Sequence, residues 1–345
     1  MSVAASFPAE TMRAPDGTEI VLRSCEGYEE LEACVRLQIE TWGYDDGDVI
    51  PRRMFKVAQR VGGQAIGAFD PGGELIGFAM AIPGMKPKPT LSAIEPRIRV
   101  GHPDAEVGES EPTLSAIQPR IRVGHPGNGV GESEPTLSAI EPRIRVGHPD
   151  AEAGHPGDGV GHPEQVPYLH SHMLAVTPRY RNAGLGRRLK LYQRAEAVSR
   201  GIRLMEWTFD PLEIKNAHLN IHKLGVIVRT YSPNFYGVSS SRLQAGLPTD
   251  RLHAEWWMES ERVKAILSGS TPTPPQIQET IMVPKAIATW KAESVSRAQA
   301  LQSENREKFL AAFARGLAVV GFETDPEGNG IYELARLHQP DLGVL

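Results

Sequence analysis

His172-Met-Leu-Ala-Val176-Thr-Pro178-Arg-Tyr180-Arg181-Asn-Ala-Gly184-Leu-Gly186-Arg187-Arg188-Leu189 reads as an apolar strand, a glycine-bearing turn and the opening of a helix. The strand begins near Tyr168, and its alternation puts Tyr168, His170, His172, Leu174 and Val176 on one face. From Asn182 to Arg187 the turn offers several backbone N–H groups with no partner, beside the positive end of a helix dipole. Such a turn suits a diphosphate. Gly184 and Gly186 let phosphate oxygens approach the backbone without a Cβ in the way, and Arg187 or Arg188 adds charge from the first turn. A dinucleotide fingerprint fails because its third glycine would fall at Leu189, and a P-loop fails because no Gly-Lys-Ser/Thr follows. An ordinary strand-to-helix connection, whose glycines only permit the turn, remains the alternative.

Downstream, Leu185 to Arg200 reads as a helix with Leu189, Tyr192 and Ala195 along its buried stripe. Arg203 to Asp210 reads as a strand, with Met205, Trp207 and Phe209 opposite Glu206, Thr208 and Asp210. Asn216 to Leu224 is a short helix closed by Gly225, and Val226–Tyr231 and Leu252–Met258 are further strands. Upstream, a strand over Gly17–Ser24 leads into a helix from Tyr28 to Thr41 with Leu31, Cys34, Val35 and Ile39 at helical spacing. A second helix starts near Pro51, and Gln64–Asp70 and Leu75–Ile82 flank a Pro-Gly-Gly turn. The order predicts an α/β fold around a mixed, mostly antiparallel central sheet flanked by helices.

Between these halves stands a tandem repeat. Pro89-Thr90-Leu91-Ser92-Ala93-Ile94 recurs from Pro112 and from Pro135, a 23-residue step, and decays after Pro149 into Gly-His-Pro runs. The unit lacks a leucine-rich ladder and carries few residues to bury, so 86–165 reads as a long, extended, mobile insertion; an ordered β array is the alternative. Its histidines (102, 125, 148, 155 and 162) recur as Gly-His-Pro; metal binding by such a tract is the alternative, but the 23-residue spacing of the repeats places no two ligands on one local scaffold, and no metal is expected. The chain thus divides into 1–85, the insertion 86–165, a continuation of the core over 166–270, and a C-terminal extension over 271–345. In the extension, Ile277–Val283 reads as a strand, Ala286–Arg315 as mostly helix, and Ala318–Thr324 with Gly330–Leu337 as a closing hairpin, together a small α/β subdomain.

Bulk properties exclude several classes. A net charge of -5 and a pI near 6.1 argue against a nucleic-acid binder. Two cysteines, Cys25 and Cys34, neither in a CxxC spacing, fit idle thiols in a reducing compartment. There is no signal-like start and no apolar run of membrane-spanning length, so a cytoplasmic protein without a membrane partner is expected.

The stretch from His172 to Leu189 resembles motif A of the GNAT N-acyltransferases, Q/R-x-x-G-x-G/A, here Arg181-x-x-Gly184-x-Gly186 after an apolar strand. Leu204 to Gly225 resembles that family's motif B, and the resemblance covers roughly Glu19 to Met258 without the insertion. It implies an acyl-CoA, acetyl-CoA by default, as donor. The diphosphate would sit at Arg181, Asn182, Ala183, Gly184, Leu185, Gly186 and Arg187, and the pantetheine arm along the backbone of Leu174, Ala175 and Val176. The acceptor would be a primary amine of a small molecule such as an amino acid. A homodimer is allowed for.

Family members often carry a tyrosine acid four residues before the motif B glycine. That position is Ile221 here, which leaves Tyr231, Tyr236 and His222 as substitutes. For the base, Glu206, His170 and His172 qualify by strand and face. Glu206 reads equally as a carboxylate bonded within the sheet, and each histidine as a core imidazole. Asp210, before Pro211, reads as the start of a turn. Glu40, Trp42, Asp45 and Asp46 are candidates for the acceptor pocket, or a solvated loop with one buried tryptophan, and of Trp256 and Trp257 at least one belongs to the core.

Overall fold

The computed structural model describes residues 7–45, 47–87, 165–272 and 275–337; the repeats therefore lie outside the described residues, and the readings made for them go no further. The elements are β1 (Glu10–Arg13), β2 (Glu19–Ser24), α1 (Gly27–Trp42), α2 (Arg52–Arg60), β3 (Gln64–Phe69), β4 (Leu75–Pro87), β5 (Gln165–Val176), a 3-10 turn (Pro178–Tyr180) and α3 (Leu185–Ser199). They continue with β6 (Leu204–Phe209), α4 (Ile214–Ala217) running into a π-helical turn (His218–Lys223), β7 (Ile227–Ser232), β8 (Arg251–Trp257) and α5 (Glu261–Leu267). The C-terminal elements are β9 (Glu279–Val283), α6 (Ile287–Glu293), α7 (Val295–Ala314), β10 (Ala318–Thr324) and β11 (Gly330–Ala335).

One mixed sheet of 11 strands runs through them in the order β1-β2-β3-β4-β5-β6-β8-β7-β10-β11-β9. Every neighbouring pair is antiparallel except β5 and β6. The C-terminal strands continue this sheet: β10 meets β7 at Val319 and Val228, and β11 then carries β9. Core side chains lie on both faces. On one, α1 and α2 bury Leu31, Cys34, Leu37, Phe55 and Ala58 against Phe78, Met80, Met173 and Ala175. On the other, α3 buries Leu185, Leu189 and Tyr192 against Ile66, Ile76 and Val176. Burial of each leucine, isoleucine, valine, phenylalanine or methionine side chain among them contributes about 1.5–3 kcal/mol.

Two helical stripes differ from expectation. On α1, Ile39 is exposed and Gln38 takes the buried place. Its carboxamide accepts from the Ile50 N–H at 2.9 Å and donates to the Ile50 carbonyl at 3.0 Å, tying down the α1–α2 linker. On α3, Lys190 and Gln193 are buried and Ala195 is not. A polar residue with an internal partner is invisible to a count of apolar spacing. The sequence reading also omitted β1 and α5; Ser260 caps the latter by accepting the Val263 N–H at 3.2 Å.

β4 and β5 form a long antiparallel pair from Gly77/Val176 to Pro87/Gln165. The segment 88–164 is thus inserted at the turn of a hairpin. Within this pair Met80 faces Met173 and the next residue, Ala81, faces Ser171, so His172 is the extra residue of a β-bulge. The bulge breaks the expected alternation. Met173 and Ala175 face α1 and α2, whereas Ser171 faces α3.

Candidate active site

The parallel strands β5 and β6 are paired only at Tyr168/Leu204, Leu169/Met205 and His170/Glu206. Beyond these they part, and the chain opens a cavity of about 380 Å³ between the free stretches. Its walls come from both sides of the sheet. Ser171, Leu174, Lys190, Trp207 and Asn220 line the side of α3; Trp42, Tyr44, His172, Thr208 and Tyr236 line the side of the α1–α2 linker.

At the top of β5 the chain turns into α3 through two left-handed residues, Asn182 at φ 63° and Gly184 at φ 79°. Glycine adopts this conformation freely; asparagine is one of the few other residues that tolerate it. The expected row of open amides needs one correction. Ala183 N–H turns back to the Tyr180 carbonyl at 3.4 Å, and the first helical bond is Arg188 N–H to the Gly184 carbonyl at 3.1 Å. Asn182, Gly184, Leu185, Gly186 and Arg187 keep N–H groups without a partner among the described residues. A Cβ built on Gly184 would meet nothing within 4 Å, and one on Gly186 would meet only Leu174 Cδ2 at 3.5 Å. The space above the amides is open.

Arg181 folds its Nε onto the Val176 carbonyl at 3.2 Å, securing the end of β5. Arg187 has a buried Nε without a hydrogen-bond partner among the described residues. Of the neighbouring arginines, Arg179 and Arg188 meet Asp16 and Glu10, whereas Arg181 and Arg187 have no acidic partner among the described residues. Five free amides at a helix start with two unneutralised guanidiniums have the donors and the charge that a dianion requires.

The candidates for proton transfer separate clearly. His172, at the bulge, is open to the cavity, and the cleft walls that displace water around it hold its imidazole below the ordinary histidine range. His170, its neighbour at 6.0 Å between ring centroids, is lowered to about 4, first by burial and then by His172, Lys190 and His253. Glu206 is half-buried beside the cavity; burial pushes its carboxyl up, and the contact with Lys86 pulls it part of the way back.

Tyr231 requires a correction. Its ring stacks on Phe309 within the core, and its phenol donates to Asp250 Oδ2 at 2.5 Å. Burial, and then the Asp250 carboxylate, push that phenol far above its ordinary value. Arg306 holds the same carboxylate through both oxygens, at 2.8 and 2.9 Å. Tyr231 therefore does not line the cavity. Tyr236 does, with its hydroxyl 2.8 Å from Thr208 Oγ1. His222 is exposed and stacks on His218, while Ile221 is fully buried in the core.

The wall on the side of the α1–α2 linker is held by a clasp that sequence reasoning missed. Asp48 accepts from the Ser240 N–H at 2.8 Å and from its hydroxyl at 2.6 Å, and the Arg242 N–H reaches the Trp42 carbonyl at 3.0 Å. The loop between β7 and β8 is thereby fastened to the α1–α2 linker. Of the four residues proposed for this pocket Trp42 lines it; Glu40 and Asp45 point to solvent, and Asp46 lies outside the described residues. Asp210 forms the predicted turn by accepting the Leu212 N–H at 2.8 Å, and buried Lys291 of α6 holds both Asp210 and Glu213 at 3.0 and 2.7 Å. Trp256 and Trp257 are both buried. Among the described residues, no group of three His, Cys, Asp or Glu could hold a metal, and no helix is long and apolar enough to cross a membrane.

No family model and no curated protein matches the sequence. Solved structures with a similar course of chain belong to GNAT-type acetyltransferases. NAA60 of Arabidopsis thaliana in complex with acetyl-CoA is 12% identical over 69% of this chain and 99% of that one, with a TM-score of 0.40. The ribosomal-protein-S18-alanine N-acetyltransferase of Escherichia coli is 11% identical over 75% and 99%, with a TM-score of 0.37. An N-acetyltransferase of Staphylococcus aureus is 12% identical over 70% and 99%, with a TM-score of 0.36. These likenesses concern the path of the backbone and bear on neither substrate nor catalytic residues.

Proposed function

We propose that this chain is an acyl-CoA-dependent N-acyltransferase that moves an acetyl or other short acyl group to a primary amine of a small molecule such as an amino acid, in the cytoplasm. The observation that carries the reading is the continuity of two features. Gly186, in the row of free amides at the start of α3, lies against Leu174, which lines the gap where β5 and β6 part. A diphosphate held at the first leaves a thioester-bearing arm to run along the unpaired edge of β5, past Val176, Ala175 and Leu174, to the bulge at His172. The acceptor enters from the opposite side, past Trp42, Tyr44 and Tyr236.

The amine must be neutral to attack. His172, whose imidazole the cleft walls hold below the ordinary histidine range, takes its proton directly or through water, with Glu206, tethered to Lys86, as a second acceptor. No cysteine lies at the cavity, so the acyl group passes straight from thioester to amine. Incubation with acetyl-CoA or succinyl-CoA and a panel of amines, following free thiol, tests the reading. Thiol release that depends on an amine is the expected result. A second reading, a non-catalytic acyl-CoA-binding module, is favoured by one observation: the position of the family's usual acid is a buried isoleucine, Ile221. It predicts tight CoA binding with no amine-dependent thiol release across the panel.

A further inference from the structure

Lys190 is an unexpected resident of the cavity wall. Its side chain is 4% exposed, it lines the cavity, and it meets no carboxylate among the described residues. Nζ donates to Ser171 Oγ at 2.7 Å and lies 3.7 Å from the centroid of the Trp207 ring; Ser171 in turn donates to Gln193 Oε1 at 3.0 Å. A lysine is almost never buried without an acidic partner, because desolvation of an ammonium costs several kcal/mol. Burial accordingly pulls its pKa well below the usual lysine value.

The groups around it leave that proton unclaimed. From β5, His170 lies close enough for Lys190 to help lower its imidazole and offers no negative charge in return, and His172 stands at the adjacent bulge. From β6 comes the Trp207 ring, and Glu206 lies on the other face, engaged by Lys86. Asp210 and Glu213 share the cavity wall, but both are held by Lys291. The π-helical turn contributes Asn220, 5% exposed, whose carboxamide forms no hydrogen bond among the described residues and lines the same cavity; His218 and His222 stack on each other farther along that turn. A π-turn of this kind is a frequent mark of functional sites.

Position within the cleft assigns the pair a task. α3 runs back alongside β5: Gly186 lies against Leu174, and Lys190, one turn later, against Ser171 beside the bulge. Lys190 and Asn220 therefore stand on the side from which the thioester arm comes, whereas His172 and Tyr236 stand toward the acceptor. We infer that Lys190 is the acid of the reaction: its ammonium donates a proton to the departing sulfur, with the Asn220 carboxamide as second donor. This rests on the acyltransferase reading. The amine nitrogen bonds to the thioester carbonyl carbon and gives up a proton to His172, the C–S bond breaks, its electron pair stays on sulfur, and the Lys190 proton completes the thiol. Neutral Lys190 then regains a proton from solvent. A lowered lysine pKa suits this step, because proton transfer is easiest between groups of similar acidity.

The test uses Lys190→Met and Lys190→Arg in the full chain. First, the thiol of bound CoA is titrated by thiolate absorbance. Lys190→Arg, whose guanidinium keeps its charge while the thiol titrates, should lower the thiol pKa by a unit or more relative to Lys190→Met, with wild type between the two. This readout does not need turnover, so it survives a failure of the acyltransferase reading. Second, Lys190→Met should lower kcat about 100-fold or more with acetyl-CoA affinity unchanged. Lys190→Arg, which keeps the charge but holds its proton too tightly, should recover little kcat and should lack the fall at high pH that the assignment predicts for wild type. An unchanged thiol pKa in Lys190→Met overturns the assignment. So does a loss of kcat confined to donors whose acyl chain ends in a carboxylate, which would make Lys190 a counter-ion for the chain.

Discussion

His170 gives the account a quantitative handle in acid. Its imidazole sits half-buried on the central sheet, beside Glu206 in register and close to His172, Lys190 and His253, and is lowered to about 4 from the ordinary 6.5. The unfolded chain therefore binds a proton near pH 6.5 that the folded chain refuses until about 4. Because the folded-state value is the depressed one, the stability it contributes is complete above pH 6.5. It drains away as pH falls toward 4. A shift of this size corresponds to about 3 kcal/mol in the limit, of which about 2 kcal/mol is lost by pH 4.5. The perturbation is His170→Gln, which keeps a polar group of similar length and removes the titration. Urea unfolding of both proteins at pH 7.5 and pH 4.5 reads the difference. Wild type should lose about 2 kcal/mol more than the variant between the two pH values. His172 titrates in both proteins and cancels. Equal losses would refute the claim that His170 is held neutral by its surroundings.

Other expectations follow from the same geometry. Replacing residues 88–164 with a turn of about four residues should leave fold and CoA affinity intact, because Pro87 and Gln165 already face each other in the hairpin; the shorter closure should stabilise the chain by about 2–3 kcal/mol in urea unfolding. Loss of CoA binding in that variant would show that the insertion contributes to the seat. Lys291→Met should cost about 3 kcal/mol at neutral pH by stranding the Asp210 carboxylate beside the cavity, whereas a change within 0.5 kcal/mol would mean that the pair is hydrated. Asp48→Ala unfastens the loop from the α1–α2 linker; KM for the amine should rise about tenfold with acyl-CoA affinity preserved, and equal effects on both substrates would contradict the division of the cavity into two sides.

What the sequence disclosed and what it hid divide along physical lines. The β5–turn–α3 unit was legible because its signals are local: alternating apolar residues, glycines where the backbone turns left-handed, and a helix start. So was β6, whose Met205, Trp207 and Phe209 are buried as expected. Lys190 and Gln193 were hidden because apolar counting passes over a polar residue satisfied inside the fold. The bulge at His172 depends on the register of β4 against β5 and has no composition of its own. Tyr231 looked available because its captors, Asp250 and Arg306, lie 19 and 75 residues farther along the chain. For the C-terminal elements, type could be read from periodicity; the place of β10 beside β7 is a long-range pairing that periodicity does not encode.

Calorimetric titration of CoA into wild type, Gly186→Ala and Gly186→Glu puts the seat itself on trial. The wall near Gly186 accepts a Cβ, so both variants should melt within a few degrees of wild type. The alanine variant should bind CoA nearly as wild type does, and the glutamate variant at least 100-fold more weakly, because its carboxylate occupies the space above the open amides and repels the diphosphate. A folded Gly186→Glu protein that binds CoA as tightly as wild type would contradict the account at its base.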